Sequence, residues 1–487
     1  MTEKKLKRVM IQTLGCQMNV YDTGRMTDML YDLGYEPTDS PGKADLVIVN
    51  TCAIREKAEQ KVLSSLGRLC AIKQKRPNLL IAVAGCVAQQ QSEKLCQRFE
   101  GLDLVLGTRV IHRLPDYVRA LENGKGPIAD VEMPEENVFD NTGLRSEAET
   151  QPPLKASSGG VSRYVTIMRG CDNFCAYCVV PYVRGWETSR PPEHIVEEVR
   201  ALVSAGAKEV TLLGQNVNSY GKKEGLCSFP RLLELVSGVD GLERIRFVTS
   251  HPKDLSDELV EAFNRIDKLC SHIHLPVQSG SDSVLKRMNR KYGRQDYMER
   301  IEKLRSVRPG IAVTTDVIVG FPGETEHDFE MTLDLLEQVK FDTLFAFEYS
   351  DRPQAPARRF KEKVSADDKK ARLRELLNYQ AGITRQIYEG LVGSIMDVLV
   401  EGFSRRGRGA GDEKDLNKPE MTGRSPQNRI VNFELEHSTK QPDPGQLVGK
   451  IIPVVIERAC ANSLKGKLPA DEPAAEYKSK GGKIHAA

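Results

Sequence analysis

The chain has 487 residues, with 70 Lys+Arg against 68 Asp+Glu, 40% hydrophobic and 6% aromatic residues, and 11 cysteines. That length accommodates about three domains, and the absence of any run of about 18 apolar residues excludes helical membrane spans, while the hydrophobic fraction excludes a wholly disordered chain. A formal charge of +2 cannot hold nucleic acid through a global positive field, so such a partner must be met by local basic clusters.

The N-terminal MTEKKLKRVMIQTLGC has no apolar stretch of the kind a signal peptide needs, so a cytoplasmic setting with reduced thiols is expected. Three stretches then read as strands ending in a cysteine: Arg8 to Cys16 (RVMIQTLGC), Asp45 to Cys52 (DLVIVNTC) and Leu79 to Cys86 (LLIAVAGC). Intervals of 36 and 34 residues between these cysteines hold one strand and one return helix, with helical patterns over Thr23 to Leu33 and Arg55 to Lys73. Right-handed βαβ units make neighbouring parallel strands, so Cys16, Cys52 and Cys86 are expected to converge on one sheet edge as metal ligands. Separately buried core cysteines are the plain alternative. A short strand over Gly101 to Gly107 completes an α/β domain at residues 1–132, and the polar, acidic residues 133–162 read as a linker.

Directly after an apolar strand (Tyr164 to Met168) comes RGCDNFCAYCVVP, in which Cys171, Cys175 and Cys178 have C-x3-C-x2-C spacing. A structural zinc site wants four ligands, and no nearby His or Cys supplies the fourth. Three thiolates suit a [4Fe-4S] cluster with one open iron. The loop's place at a strand's C-terminal end is where parallel α/β folds build active sites. Cys70, Cys96, Cys227, Cys270 and Cys460 lack such a context and read as core thiols.

Strands over Tyr164 to Arg169, Glu209 to Leu213, Arg244 to Thr249, His272 to Pro276, Ala312 to Val319 and Thr343 to Tyr349 alternate with amphipathic helices such as Pro192 to Ser204, Phe229 to Val239 and Asp296 to Val307. Residues 163–391 therefore predict a partial, six-repeat TIM-like barrel, open at the side for a bulky substrate, with the charged helical stretch Ala366 to Leu391 leading out of it. The overall class is α/β. Residues 392–468 turn all-β (Ser394 to Gly402, Ile430 to Glu436, Val448 to Glu457) and predict a small β-barrel, and residues 469–487 read as a disordered tail.

The loop C-x3-C-x-Tyr177-C resembles the signature of the radical S-adenosylmethionine (radical SAM) superfamily. Together with LGCQMN, VNTCAIRE, VAGCVAQ, SRPPEHI, LLGQNVNSYG, SHPKDL, LPVQSGSD, LKRMNRKY, DVIVGFPGET and ANSLKGKL, it resembles that superfamily's methylthiotransferases over nearly the whole chain. The last domain is similar to the RNA-binding TRAM module, and LLGQNVNSYG is the piece that best separates the tRNA-modifying branch from its relatives.

The resemblance implies transfer of a methylthio group to C2 of N6-isopentenyladenosine beside the anticodon of tRNA. An adenine C2–H is neither acidic nor electrophilic enough for acid–base or nucleophilic catalysis, which makes a radical route sensible. It further implies two [4Fe-4S] clusters. The one on Cys171, Cys175 and Cys178 would cleave SAM as radical source, and the one on Cys16, Cys52 and Cys86 would carry a sulfur that a second SAM methylates. A sulfur donor and an electron donor such as flavodoxin are the implied partners, for a protein expected to be monomeric with no membrane contact.

By the same resemblance Tyr177, Gly214, Gln215, Asn216 and Gly320 are cofactor-binding candidates. Gly214-Gln215-Asn216 stands where the superfamily carries Gly-Gly-Glu for the methionine end of SAM. Gly320, Pro322 and Gly323 either admit the adenosyl group or form an ordinary βα turn. His274 and Gln278 either line the cavity or serve structure. Arg287, Arg290 and Tyr292 either meet tRNA or form a solvated helix face, and Arg405, Arg406, Arg408, Arg424, Arg429, Lys465 and Lys467 are RNA-contact candidates in the last domain. The segment Tyr349-Ser350-Asp351-Arg352-Pro353-Gln354 departs from the family's usual Tyr-Ser-Pro-Arg-Pro-Gly, and Asp22-Thr23 from Asp-Ser. Two other functions stay open: methylthio transfer to threonylcarbamoyl-adenosine in tRNA or to a ribosomal-protein aspartate, and a non-catalytic iron–sulfur electron carrier with an RNA-binding barrel.

Overall fold

The computed structural model describes residues 6–53, 56–134, 160–404, 420–435 and 444–469. Most of the expected linker, the tail from 470 onward, and Arg405, Arg406 and Arg408 lie outside the described residues.

Near the N-terminus, β1 (Lys7–Leu14), β2 (Tyr35–Pro37), β3 (Leu46–Thr51), β4 (Leu80–Gly85), β5 (Leu104–Leu106) and β6 (Ile128–Asp130) form a six-stranded parallel sheet in the order β2-β1-β3-β4-β5-β6. The short outer strands β2 and β6 are too brief and too polar to announce themselves in sequence. Helices α1 (Gln17–Asp32), α2 (Glu56–Lys75), α3 (Cys86–Arg98) and α4 (Leu114–Glu122) cover both faces. That cover is why β3 and β4 read as unbroken apolar runs: Val47, Val49, Ile81 and Val83 fill one core, and Leu46, Ile48, Ala82 and Ala84 fill the other.

The central unit runs β7 (Ser162–Thr166), β8 (Met168–Arg169), α5 (Val180–Arg184), β9 (Thr188–Ser189), α6 (Pro192–Ser204), β10 (Glu209–Leu213), α7 (Phe229–Ser237), β11 (Arg244–Phe247), α8 (Asp257–Arg265), β12 (His272–His274), α9 (Asp282–Arg287), α10 (Arg294–Val307), β13 (Ala312–Val319), α11 (Glu326–Val339), β14 (Thr343–Glu348) and α12 (Ala366–Glu389). Its strands pair in parallel as β7-β10-β11 and β12-β13-β14, and a parallel bridge from Ile245 to Leu269 joins the two halves. The result is an open six-strand arc around one large apolar core. The first expected strand is split, because the chain leaves β7 to pair β8 with β9 and so frames the thiol loop.

β15 (Ile395–Phe403), β16 (Glu420–Arg424), β17 (Ile430–Glu434), β18 (Ile451–Ala459) and β19 (Leu464–Lys467) close into a barrel in the order β15-β16-β17-β19-β18. Sequence reading passed over β16 (EMTGR) and β19 (LKGK), whose inward residues Met421 and Leu464 are isolated among polar neighbours. The barrel docks on β11. Arg244 donates to the carbonyls of Arg424 (2.6 Å) and Asp397 (3.0 Å), and Arg246 to those of Ser425 (2.7 Å) and Pro426 (3.0 Å). No helix among the described residues is long and apolar enough to cross a membrane.

Candidate functional site

Aligned register brings the first thiol set together. Leu14 of β1 pairs with Thr51 of β3, and Thr51 with Gly85 of β4, so Cys16, Cys52 and Cys86 follow three adjacent strands at one edge. Side chains lock that edge. Asn19 Nδ2 donates to Asn50 Oδ1 (3.0 Å) and Thr51 O (2.9 Å), while Asn50 Nδ2 returns a bond to Asn19 O (2.8 Å). Thr51 Oγ1 donates to Ala84 O (2.6 Å) and accepts from Val87 N (3.1 Å). Gly85 has φ 92°, and a Cβ there would lie 2.4 Å from Thr51 O, so only glycine lets β4 end this close to β3.

The three thiols differ in environment. Cys16 caps the N-terminus of α1, and a hydrogen bond from Cys52, helped by Arg184 and the Asn19 and Met18 amides, outweighs burial and lowers its pKa to about 6. Burial pushes Cys86 up, opposed by Arg184.

In the second set the thiols follow β8. Gly170, at φ 78°, must be glycine because a Cβ would lie 2.0 Å from Trp186 O. Donors then point at each sulfur: Asn173 Nδ2 at Cys171 (3.5 Å), Arg290 Nη1 at Cys175 (3.3 Å) and Val180 N at Cys178 (3.4 Å). Burial pushes Cys171 up to about 11 and Cys178 up to about 12. Cys171 and Cys178 are therefore held protonated when free, and a bound cation is what would convert them to thiolate ligands.

Both sets fit an anionic inorganic cluster. A buried arginine faces the sulfurs in each, Arg184 in the first and Arg290 in the second. Among the described residues no three His, Cys, Asp or Glu side chains are gathered as a single metal ion requires.

Of the other expected site residues, the Tyr177 hydroxyl accepts from Arg290 (3.3 Å). Gly214 packs on Met168, where a Cβ would come within 2.4 Å of Cγ. Gln215 spends its Oε1 on Gly170 N (2.6 Å), tying β10 to the start of the thiol loop. Asn216 Nδ2 donates to Asp254 (2.8 Å), leaving its buried Oδ1 without a partner. Gly320, at φ 69°, donates to Glu324 Oε1 (2.7 Å), and the Lys369 side chain fills the space its own side chain would take. His274 sits inside β12, bonded to Thr314 Oγ1 at 3.0 Å. Gln278, at φ 74°, bridges to Val317.

Sequence reading missed the most suggestive ligand-facing groups. At the ends of β10 and β11, both amide atoms of Asn218, Ser250 Oγ and His251 Nε2 are buried with no partner. Burial, with Arg290, Lys253 and Arg300 nearby, pushes His251 down to about 2. Its Nδ1 accepts from Lys253 N (3.2 Å), so the neutral ring carries its proton on Nε2 as a donor facing no acceptor. The signal available was the pair SHP and NVN at strand ends, which has no spacing rule behind it.

Several expectations need correction. Arg290 and Tyr292 are buried: Arg290 serves Cys175, Tyr177, Tyr292 and Pro276 O and meets no solvent-borne partner. Arg287 stays outside, paired with Glu362 at 2.9 Å. Arg429 is half-buried and spends its guanidinium on Asp342 across the domain boundary, and Arg424 pairs with Glu401 at 3.2 Å within the barrel. Lys465 and Lys467 pair with Glu420 (3.1 Å) and Glu457 (2.6 Å) on the barrel surface and stay RNA-contact candidates. Cys270 is a core thiol as expected, Cys70, Cys227 and Cys460 are half-buried, and Cys96 is exposed because it falls on the outer face of α3.

Residues 165–336 match the radical SAM superfamily, and residues 8–107 match an uncharacterized protein family, UPF0004. The chain is 50% identical over 488 residues to the tRNA-2-methylthio-N(6)-dimethylallyladenosine synthase of Desulfosudis oleivorans, covering 99% of this chain and 100% of that one. Proteins of the same name from Geobacter sulfurreducens (48% identical, 97% and 99% covered) and Myxococcus xanthus (47%, 95% and 94%) are also similar. Among solved structures, the radical S-adenosylmethionine methyltransferase TsrM from Kitasatospora setae shares the fold, with TM-score 0.51 at 14% identity over 72% of this chain and 74% of that one.

Proposed function

We propose how the two thiol sets divide the work of a chain that belongs to the family of tRNA-2-methylthio-N(6)-dimethylallyladenosine synthases. It is a radical SAM methylthiotransferase that adds a methylthio group to C2 of N6-isopentenyladenosine in tRNA. Its cofactors are SAM and [4Fe-4S] clusters, which when bound supply reductive cleavage of SAM to a 5'-deoxyadenosyl radical and a site for the sulfur to be transferred.

The observation that carries the division is the pairing of two thiol sets with two buried arginines at neighbouring strand ends. Cys171, Cys175 and Cys178 would hold the radical-generating cluster, oriented by Gly170, Asn173 and Arg290. Cys16, Cys52 and Cys86 would hold the cluster that carries sulfur. The buried unpartnered groups of Asn216, Asn218, Ser250 and His251 would receive SAM or the target base, since a buried polar atom costs about 1–3 kcal/mol until it is bonded. Tyr177 and Gly320 complete the cofactor cradle, and Gln215 holds the thiol loop to β10. We further assign the position beside the anticodon as the target, a low-potential electron donor such as flavodoxin, a separate sulfur donor, a cytoplasmic location and a monomeric state.

Mass spectrometry of nucleosides from a tRNA-modification-deficient strain expressing this chain tests the reading. Appearance of the methylthio-isopentenyl nucleoside is expected, and its absence beside a methylthiolated threonylcarbamoyl-adenosine would move the enzyme to the other branch. Anaerobic incubation with dithionite and SAM separates enzyme from electron carrier, since a carrier releases no 5'-deoxyadenosine.

A further inference from the structure

The first thiol set is not finished by its own domain. Arg184, the last residue of α5, comes from the central unit and is 5% exposed. Its Nη2 lies 3.2 Å from Asp22 Oδ2, itself buried on α1, and its guanidinium sits near enough to the Cys86 and Cys16 sulfurs to act on both electrostatically. A guanidinium does not release its proton, so this is a permanent positive charge among the sulfurs.

The first domain grips the segment that delivers it. Thr108 Oγ1 donates to Val183 O (2.6 Å), Arg109 Nε to Arg184 O (3.0 Å) and Arg109 Nη2 to Trp186 O (2.6 Å). At its other end α5 starts two residues after Cys178, with Val180 N donating to that sulfur at 3.4 Å. One five-residue helix thus touches a thiol of each set.

We propose that Arg184 is a positioning residue for the cluster on Cys16, Cys52 and Cys86: supplied across the domain boundary, it fixes the Cys86 sulfur and raises that cluster's reduction potential. The inference rests on the reading that these three cysteines hold a cluster. A reduced cluster carries one more negative charge than an oxidised one, and a buried cation beside a ligand sulfur favours the reduced form. Asp22 works against this by drawing on the same guanidinium, although Arg169 and Arg25 also act on Asp22 or its surroundings. Removing the cation and neutralising the anion therefore have opposite effects on the potential, whereas a mere latch between domains would weaken in the same way by either change.

The test uses the full chain with Cys171, Cys175 and Cys178 replaced by Ala, reconstituted with iron and sulfide and titrated electrochemically with electron paramagnetic resonance detection. R184Q is expected to lower the midpoint potential and alter the reduced-cluster spectrum, R184K to recover part of the shift, and D22N to raise it, all at equal iron content. Unchanged potentials, or shifts of one sign in R184Q and D22N, overturn the proposal. Should R184Q lose iron, retention in R184K supports a charge that holds the site, and equal loss in both overturns it. A parent chain that binds no iron would instead remove the first cluster site itself.

Discussion

The two thiol sets are assembled on opposite plans. Cys171, Cys175 and Cys178 fall within one loop whose own backbone aims donors at the sulfurs, as Val180 N does at 3.4 Å from Cys178. Cys16, Cys52 and Cys86 are far apart in sequence, and the register of β1, β3 and β4 assembles them. The local set depends on turn geometry, notably the positive φ of Gly170 and of Phe174 (47°). The distributed set depends on the sheet, on the buried Asn19–Asn50 pair, and on an arginine lent by the neighbouring domain. A distributed site couples its integrity to domain docking, which a local loop does not require.

The sharpest way to break this comparison is to remove each set. C16A/C52A/C86A together should lower reconstituted iron by about half and abolish methylthio transfer while 5'-deoxyadenosine formation persists, and C171A/C175A/C178A should abolish both. Iron quantitation with product chromatography decides it, and identical behaviour of the two variants would end the division of labour.

Next in size is the arginine contrast. R290M leaves Cys175, Tyr177, Tyr292 and Pro276 O without their buried donor and should cost about 1–3 kcal/mol of stability in urea unfolding. R287M, three residues away on the exposed face, should change it by less than about 0.5 kcal/mol.

The sets should also differ in reactivity when metal-free. With its pKa lowered to about 6, Cys16 is mainly thiolate above that pH, whereas Cys171 and Cys178 stay protonated until about 11 and 12. Iodoacetamide labelling followed by peptide mass spectrometry should find Cys16 modified ahead of Cys171 and Cys178, with a rate that rises as pH passes through 6 and then levels. A rate for Cys16 that climbs only above pH 9 would contradict the helix-cap and Cys52 contribution.

The smallest effect lies between the sets, where the loop after β14 meets the first domain through Gln90 Nε2 and Pro353 O (3.4 Å). Gln354 holds φ 71°, a left-handed conformation that glycine adopts without strain. Q354G should stabilise the chain by about 0.5–1 kcal/mol in a thermal or urea melt, since the left-handed conformation strains a side chain and not glycine.

Legibility in the sequence followed the distance over which each feature is specified. The loop set was readable because its three residues share one turn, and strand-end cysteines at 36- and 34-residue spacing made the second set readable through the fixed hand of βαβ units. Arg184 and Arg290 were not readable. Each looks like a solvated cation near a short helix, and only packing from Asp22, Cys86, Tyr292 and Pro276 shows that it is buried. Arg429 failed in the same direction, since docking of the barrel on the central unit commits its guanidinium to Asp342.

Sequence alone therefore determined the α/β class and most of the longer strands and helices, and singled out the two groups of cysteines, because periodicity and spacing are short-range properties of the chain. Tertiary structure alone decided which charges face the sulfurs, which polar atoms are left buried and unpartnered at the strand ends, and how the domains share a site. Burial and pairing of a long side chain are set by whatever element packs against it, and that element is usually far away in sequence.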